Sequence, residues 1–394
     1  MNSRIPIPES QSKDKKRVNP SSELLAQDIS LRSFELNEKY GRLGAFLDRN
    51  NLSAILLSRH ENIAWVTAGQ VEARVALGSE TAVTSLLITH EGLRYYLTSN
   101  NEAPRLADEE FTGLGYEPVI YPWYQSPARL LRELVGDNAL GSDTLIAGAE
   151  HVSISSLRSP FLPTEIERLR ILSRDTAEAT VVVLESLQPG VTEDEMAARS
   201  AAALLERGIT PTVLLMGVDD RIRKYKHAVP RQGVLERYGM VNLCARRWGL
   251  VVSITRFVHF GPIPEDLAAS FIAAARIHSE LLHATRPSVI SAQLFEVARE
   301  AYKSLGAAEE IELHHQGGAC GYTERDWLIT PSGEDIVTAP QAFAYNPSLR
   351  GAKVEDTILA SENSIEVLTE TPTLPVVETG IGGAVYRSAG VLQR

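Results

Sequence analysis

The sequence predicts an α/β protein with two domains, and three features of its pattern support that prediction. From Phe34 onward, short apolar runs of strand length alternate with stretches of helical periodicity. Two capping-box patterns, Thr164 with Glu167 and Thr192 with Glu195, each begin a long amphipathic segment. The chain has 394 residues, 44% of them apolar, which is enough for two cores of ordinary size.

The N-terminal part divides into an arm and a domain. Residues 1–30 are rich in Ser, Pro, Lys and Gln, with little periodic apolar content, and are predicted to form a flexible arm. Residues 31–158 are predicted to fold as an α/β domain with a mixed sheet. We expect helices at 36–49, 61–67, 102–111 and 128–135, and strands at 53–58, 81–89, 93–98, 118–121 and 144–147.

Residues 159–394 are predicted to form the second α/β domain. The two capping boxes predict helices that end near Leu187 and Arg207, and the Gln188-Pro-Gly190 sequence separates them. A hairpin at 240–256 is the centre of this domain. We expect the other elements to be strands at 212–217 and 310–314, helices at 264–285 and 291–305, a polar connection at 218–227 and closing strands to about residue 367.

Composition excludes several classes of protein. Lys and Arg number 39 against 50 Asp and Glu, a net charge of −11, which argues against a nucleic-acid-binding surface. The longest apolar runs are too short to span a membrane. Two cysteines, Cys244 and Cys320, cannot form a disulfide framework, and no secretory leader is recognisable. We therefore expect a cytoplasmic protein.

The hairpin contains the motif Ser253-Ile-Thr-Arg256, and Asn242 lies eleven residues before Ser253. This pattern resembles the active-site hairpin of the methionine aminopeptidase, Xaa-Pro peptidase and creatinase family. That family carries two Asp eleven residues apart, the second in an Asp-Ile-Thr-Arg motif. The resemblance implies an N-terminal creatinase-like α/β domain followed by a C-terminal catalytic domain of the pita-bread fold.

Three further family motifs extend the resemblance. Gly317-Gly-Ala-Cys-Gly321 matches Gly-His-Gly-Ile-Gly, so Gly318 stands where the family has a ligand His. Ala344-Tyr-Asn-Pro-Ser348 matches Thr-Ile-Glu-Pro-Gly, so Asn346 replaces a Glu. Glu355, in Val-Glu-Asp-Thr, keeps the last ligand position.

These replacements predict a site without metal. Two divalent cations need several carboxylates and an imidazole to balance their charge. Asn242, Ser253, Gly318 and Asn346 supply no anionic donor. We therefore expect neither a metal nor another cofactor, and the resemblance is nearest in kind to the metal-free creatinase branch.

The resemblance also implies roles for individual residues. His227 would be the general acid and base, because an imidazole takes up and returns a proton near neutral pH. His314 would stabilise an oxyanion, and Glu355 would orient the polar head of the substrate. Arg325 would bind a substrate carboxylate, together with Arg74 from a second subunit, which implies a homodimer with a shared site. The alternative for His227, Arg325 and Arg74 is an ordinary surface side chain.

Neutral side chains complete the predicted site. Asn242, Ser253 and Asn346 suit hydrogen bonds to an amide or ureido group. Cys244 lies on the same strand face as Asn242 and is either a nucleophile or a small buried apolar residue. His315 is expected on the opposite strand face from His314, in a structural role.

The predicted function is metal-independent hydrolysis of a C–N bond, whether amide, amidine or ureido, in a small carboxylate-bearing compound. One alternative is an Xaa-Pro aminopeptidase-like metallopeptidase whose ligands align differently. Another is a catalytically inactive pita-bread protein that binds a peptide or protein. Neither nucleic acid nor membrane is an expected partner.

Overall fold

The computed structural model describes residues 29–394, so the predicted arm lies outside the described residues except for its last two, which begin the first helix. The α-helices of at least five residues are α1 Ile29–Arg49, α2 His60–Val66, α3 Ala128–Val135, α4 Pro163–Ser186, α5 Glu193–Leu205, α6 Asp220–Lys224, α7 Glu265–Ala284 and α8 Ser291–Ser304. The first nine strands are β1 Ala54–Arg59, β2 Thr81–Thr89, β3 Arg94–Ser99, β4 Glu117–Tyr121, β5 Leu140–Ser142, β6 Glu150–His151, β7 Thr210–Val218, β8 Tyr238–Arg247 and β9 Leu250–His259. The remaining strands are β10 Gly317–Cys320, β11 Trp327–Leu328, β12 Gln341–Tyr345, β13 Ser348–Leu349, β14 Ala352–Lys353, β15 Asp356–Ala360, β16 Ile365–Val367, β17 Val376–Ile381, β18 Ala384–Ala389 and β19 Val391–Gln393.

The N-terminal domain contains a mixed six-stranded sheet, as the alternation of strands and helices predicts. Its strand order is β4-β3-β2-β1-β5-β6, with β1 antiparallel to β2 and parallel to β5. The expected strand at 144–147 is wrong, because the strand lies at Leu140–Ser142 instead. The Asp143 carboxylate accepts hydrogen bonds from the backbone N–H groups of Ser58 and Arg59, at 2.8 and 3.0 Å, and the chain leaves the sheet there. The expected helix at 102–111 forms as a single turn followed by a π-helix at Leu106–Glu110.

The two predicted capping boxes have different outcomes. Thr192 caps α5 as expected, since its hydroxyl accepts from the Glu195 N–H at 3.2 Å and Glu195 accepts from the Thr192 N–H at 2.8 Å. The Thr164 box is wrong, because Leu162 precedes α4 and its N–H donates to Glu165 at 2.8 Å. Pro163 has no N–H to satisfy, so the helix begins one residue before Thr164.

Two sheets meet in the C-terminal domain and position the candidate site. One has the order β19-β9-β8-β7 and the other β11-β10-β12-β15-β16. All residues of β8 and β9 are buried. The sheets join where Thr255 forms an antiparallel bridge with Glu355, and the Ser253 N–H donates to the Thr357 hydroxyl at 2.8 Å. The closing strands extend beyond the expected residue 367, and β19 pairs in parallel with β9.

The expected strand at 310–314 is also wrong. The segment forms a 3-10 helix at Ala308–Leu313, and β10 begins at Gly317. Within this turn the Glu310 carboxylate forms ion pairs with Lys226 at 2.8 Å and with Arg350 at 3.3 Å. His314 and His315 therefore lie in a connection between the helix and β10. Among the described helices, none has the length and apolarity that a membrane crossing needs.

Candidate active site

The β8–β9 hairpin sets the positions of the predicted neutral site residues. Asn242 pairs with Thr255, and Cys244 pairs with Ser253. Asn242 and Cys244 share one strand face because side chains alternate along a strand. This face meets Glu355 where the two sheets join.

Glu355 is the centre of the site. Only 2% of the residue is exposed. Its Oε2 accepts from Asn242 Nδ2 at 2.7 Å and from the Thr255 hydroxyl at 2.5 Å. Two cations complete its surroundings, with Lys353 Nζ 2.9 Å from Oε2 and an Arg325 amino nitrogen 3.2 Å from Oε1. Burial alone would raise the pKa of Glu355, but the charges of Lys353 and Arg325 outweigh it and hold the pKa at about 2.

Lys353 is a site residue that the sequence analysis missed. Its ammonium group lies between the Glu355 carboxylate and Asn242 Oδ1, the latter at 3.2 Å. Its side chain is 7% exposed. The available signal was the spacing, since a residue two positions before Glu355 in an extended segment points to the same side.

Arg325 is held by the protein's own groups. It donates to the Ser253 hydroxyl at 3.1 Å, to the Glu324 carbonyl at 2.6 Å and to Glu355 at 3.2 Å. A planar guanidinium suits this multiple bonding. Its predicted role as the receptor of a substrate carboxylate stays a prediction.

The donor set does not suit a pair of divalent cations. Of the five family ligand positions, only Glu355 carries a carboxylate, and both of its oxygens already bind cationic side chains. Gly318 adds a steric reason: a Cβ at this position would lie 2.0 Å from the Trp327 carbonyl oxygen. A histidine could not replace Gly318 without movement of β10 or β11.

Three histidines form a cluster beside this centre. His227 and His314 face each other with their Nε2 atoms 3.0 Å apart, and His315 stacks on His314 with ring centroids 4.4 Å apart. The expectation that His315 points to the opposite face is wrong, because the two residues precede β10 instead of lying on a strand. One ring nitrogen from each histidine lies within 4.8 Å of the others, a spacing that permits a single metal ion.

The histidines have lowered pKa values for a shared reason. Desolvation of the imidazole rings by the surrounding side chains is the main cause, even for His227, whose residue as a whole is exposed, and the Lys353 charge adds to it. The pKa of His314 falls to about 2 and that of His315 to about 4, while that of His227 is lowered from its ordinary 6.5. At neutral pH these imidazoles are therefore uncharged. One of the facing nitrogens must donate and the other accept across the 3.0 Å contact.

The remaining predicted residues are Asn346, Cys244 and Arg74. Asn346 is buried, and its Oδ1 has no hydrogen-bond partner among the described residues, which leaves an acceptor available. Cys244 lies 3.2 Å from the Ser253 hydroxyl, and burial raises its pKa to about 12, which favours the small apolar alternative over the nucleophile. Arg74 lies elsewhere in its own subunit, in a cavity with His60 and Arg246.

Comparisons with known proteins agree with this architecture. Residues 167–362 match the profile of Metallopeptidase family M24. An Xaa-Pro dipeptidase from Pyrococcus horikoshii is 21% identical over 367 residues, covering 85% of this chain and 98% of the relative.

Solved structures show the same fold. Dipeptidase PepE from Mycobacterium ulcerans superposes with a TM-score of 0.72 at 19% identity, covering 86% of this chain and 96% of that one. The N-terminal domain of the FACT complex subunit SPT16 from chickpea superposes with a TM-score of 0.66 at 13% identity, covering 85% and 96%. Residues 167–362 therefore form a domain of the M24 peptidase family, and the chain has the pita-bread fold preceded by an N-terminal α/β domain.

Proposed function

We propose that this protein is a metal-independent hydrolase that cleaves an amide, amidine or ureido C–N bond in a small carboxylate-bearing compound. The observation that carries the proposal is the occupation of both Glu355 oxygens by Lys353 and Arg325. These two cationic side chains supply positive charge where the family would hold metal ions.

Electrostatics supports this proposal over a metal centre. At an effective dielectric constant of about 20, two unit charges about 4 Å apart interact by about 4 kcal/mol, so a divalent ion beside the Lys353 ammonium would meet about 8 kcal/mol of repulsion. A metal pair would have to displace Lys353 from Glu355. Asn242, Ser253 and Asn346 offer no anion that would offset this cost.

The His227 and His314 pair would perform the proton transfers. In the resting site one N–H bridges the two Nε2 atoms. When a substrate enters, the His314 N–H would turn to the developing oxyanion, and His227 would take a proton from the attacking water. The water oxygen bonds to the carbon, the C–N bond breaks, and His227 returns the proton to the leaving nitrogen. His227 is suited to this task because its residue is exposed while that of His314 is buried.

Glu355 would act as a positioning residue. Its carboxylate holds Lys353, Arg325 and Asn242 in place, which differs from the substrate-orienting role that the sequence suggests. Binding of the substrate carboxylate by Arg325 and assembly into a homodimer remain part of the proposal, whereas the Arg74 side chain lines a cavity of its own subunit and is assigned no role at Glu355.

A metallopeptidase is the second candidate. The three-histidine cluster has a spacing that permits one metal ion, and the Pyrococcus horikoshii relative is named as an Xaa-Pro dipeptidase. A catalytically inactive binding protein is the third candidate. The hydrolysis assay described next distinguishes all three.

The test is hydrolysis by protein stripped of metal with a chelator. We would assay N-acyl amino acids, ureido acids and Xaa-Pro dipeptides by release of amine, with and without added Mn²⁺, Co²⁺ or Zn²⁺. The expected result is turnover of at least one acyl or ureido compound at a rate that neither chelator nor metal changes. Turnover that requires added metal would establish the metallopeptidase instead, and no turnover in any preparation would favour the binding protein.

A further inference from the structure

A second cavity lies between the two domains, away from Glu355. Its volume is about 550 Å³. The N-terminal domain contributes His60 and Arg74. The C-terminal domain contributes Thr212 of β7, Arg246 of β8 and Glu324 of the connection between β10 and β11. We call it the interdomain cavity.

Three polar atoms in this cavity lack partners. His60 Nε2, Arg74 Nε and Thr212 Oγ1 are shielded from solvent and make no hydrogen bond within the described chain. His60 is only 8% exposed. A buried polar group without a partner is unfavourable, so three such groups in one cavity indicate that a molecule in the cavity satisfies them.

The charges around these atoms favour an anion. Arg59 is neutralised by Glu61 at 2.6 Å and Glu80 at 3.2 Å. Arg246, by contrast, has a single carboxylate partner among residues 29–394, the exposed Glu72 at 3.5 Å. For Arg74, no carboxylate of residues 29–394 is found within salt-bridge distance.

The positive charges converge on His60. Burial is the main cause that lowers the pKa of His60, to about 4, and the neighbouring charges of Arg74 and Arg246 add to it. Carboxylates line the cavity as well: Glu72, Glu324 and Glu61 partly offset the charge of Arg74, and none of them is a main influence on His60. The end of the cavity near His60 is therefore the positive end.

We propose that the interdomain cavity binds a small molecule through a carboxylate or phosphate group that lies between Arg74 and Arg246 and forms a hydrogen bond with His60. Guanidinium groups bind both anions through paired hydrogen bonds. The cavity volume is in the range of small-molecule sites, so the anion is one end of a larger ligand.

This site is distinct from the centre at Glu355. Arg246 and Asn242 share a face of β8 but lie four residues apart, which is about 13 Å along a strand. Among residues 29–394, the lining of the cavity does not include Glu355, Lys353 or Arg325. Arg74 would therefore bind the ligand within its own subunit.

Calorimetric titration of the full-length protein tests the proposal without any catalytic readout. The probes are inorganic phosphate and succinate at constant ionic strength, with sodium chloride as the reference. The expected result is one site per chain for at least one probe, and at least a tenfold loss of affinity in both Arg246→Met and Arg74→Met. Binding of one probe alone would identify the anion as phosphate or carboxylate.

Matched controls separate the site from surface charge and from misfolding. Arg170→Met removes an exposed arginine paired with Glu366 and should keep the affinity. Arg74 is the more exposed of the two cavity arginines, so Arg74→Met is expected to fold normally. This variant alone can therefore test the proposal if Arg246→Met misfolds. Absence of binding by both probes would mean that the cavity holds water only, and unchanged affinity in Arg74→Met would mean that the anion binds elsewhere; either result overturns the proposal.

Discussion

Replacing Glu355 by glutamine is expected to lower the free energy of unfolding by about 3–5 kcal/mol. The carboxylate is buried and binds both Lys353 and Arg325, so its loss leaves two cations in a low-dielectric site with no anion. Glutamine keeps the volume of the side chain, which limits the effect to charge and hydrogen bonding. Urea denaturation followed by circular dichroism measures the change.

A double variant and a surface control make this prediction specific. Glu355→Gln combined with Lys353→Met should lose less stability than the two single variants together, by about 0.5–3 kcal/mol of coupling. Glu366→Gln removes a carboxylate from an exposed pair with Arg170 and should cost at most about 1 kcal/mol. If Glu355→Gln were as stable as Glu366→Gln, the carboxylate would not be holding the two cations.

Replacing His227 by alanine is expected to lower kcat/KM by about 10²–10⁴-fold for the substrate found in the hydrolysis assay. His227 would be the group that moves the proton between water and the leaving nitrogen. The residue is exposed and lies outside the described helices and strands, so the thermal midpoint should change little. Steady-state kinetics and thermal unfolding of the same preparation measure both.

The pH profile distinguishes catalysis from a structural role. The base must be unprotonated, and burial and Lys353 lower the pKa of His227 below 6.5. The wild-type kcat/KM should therefore be level at neutral pH and fall only as pH drops below 6.5. His315→Ala, which alters the stacked neighbour, should retain this limb with a smaller loss of rate. An unchanged rate in His227→Ala would remove His227 from the mechanism.

Local patterns in the sequence predicted much of the fold correctly. The hairpin expected at 240–256 forms at residues 238–259, because apolar residues fill most positions of both strands and the turn, Trp248-Gly249, is only two residues long. The expected helices at 264–285 and 291–305 form within one residue of those bounds. In each case the residues whose pattern predicts the element lie within the element itself, so no distant contact is needed to recognise it.

The elements that were wrong depend on distant contacts. In the 3-10 helix at Ala308–Leu313, Glu310 forms ion pairs with Lys226 and Arg350. At the end of β1, the backbone donates a hydrogen bond to Asp143. The local periodicity of the sequence does not reveal any of these partners. Tertiary contacts of this kind regularly override local pattern.

In the candidate site, too, local spacing predicted some residues correctly and distant contacts placed the others. Spacing within motifs brought Asn242, Ser253 and Glu355 together correctly, since strand pairing preserves their register. The Lys353 ammonium reaches Glu355 and Asn242 because of the way β14 packs against the hairpin. The position of Arg74 depends on how the two domains pack, which no motif encodes.

We propose that the Lys353 and Arg325 side chains take the place of metal ions at Glu355. Anomalous diffraction from crystals soaked in Mn²⁺ and Zn²⁺ is the decisive experiment. We expect no anomalous peak within coordination distance of the Glu355 carboxylate, with the Lys353 ammonium about 2.9 Å from Oε2 in both soaks. A pair of peaks beside Glu355, with Lys353 displaced, would contradict it.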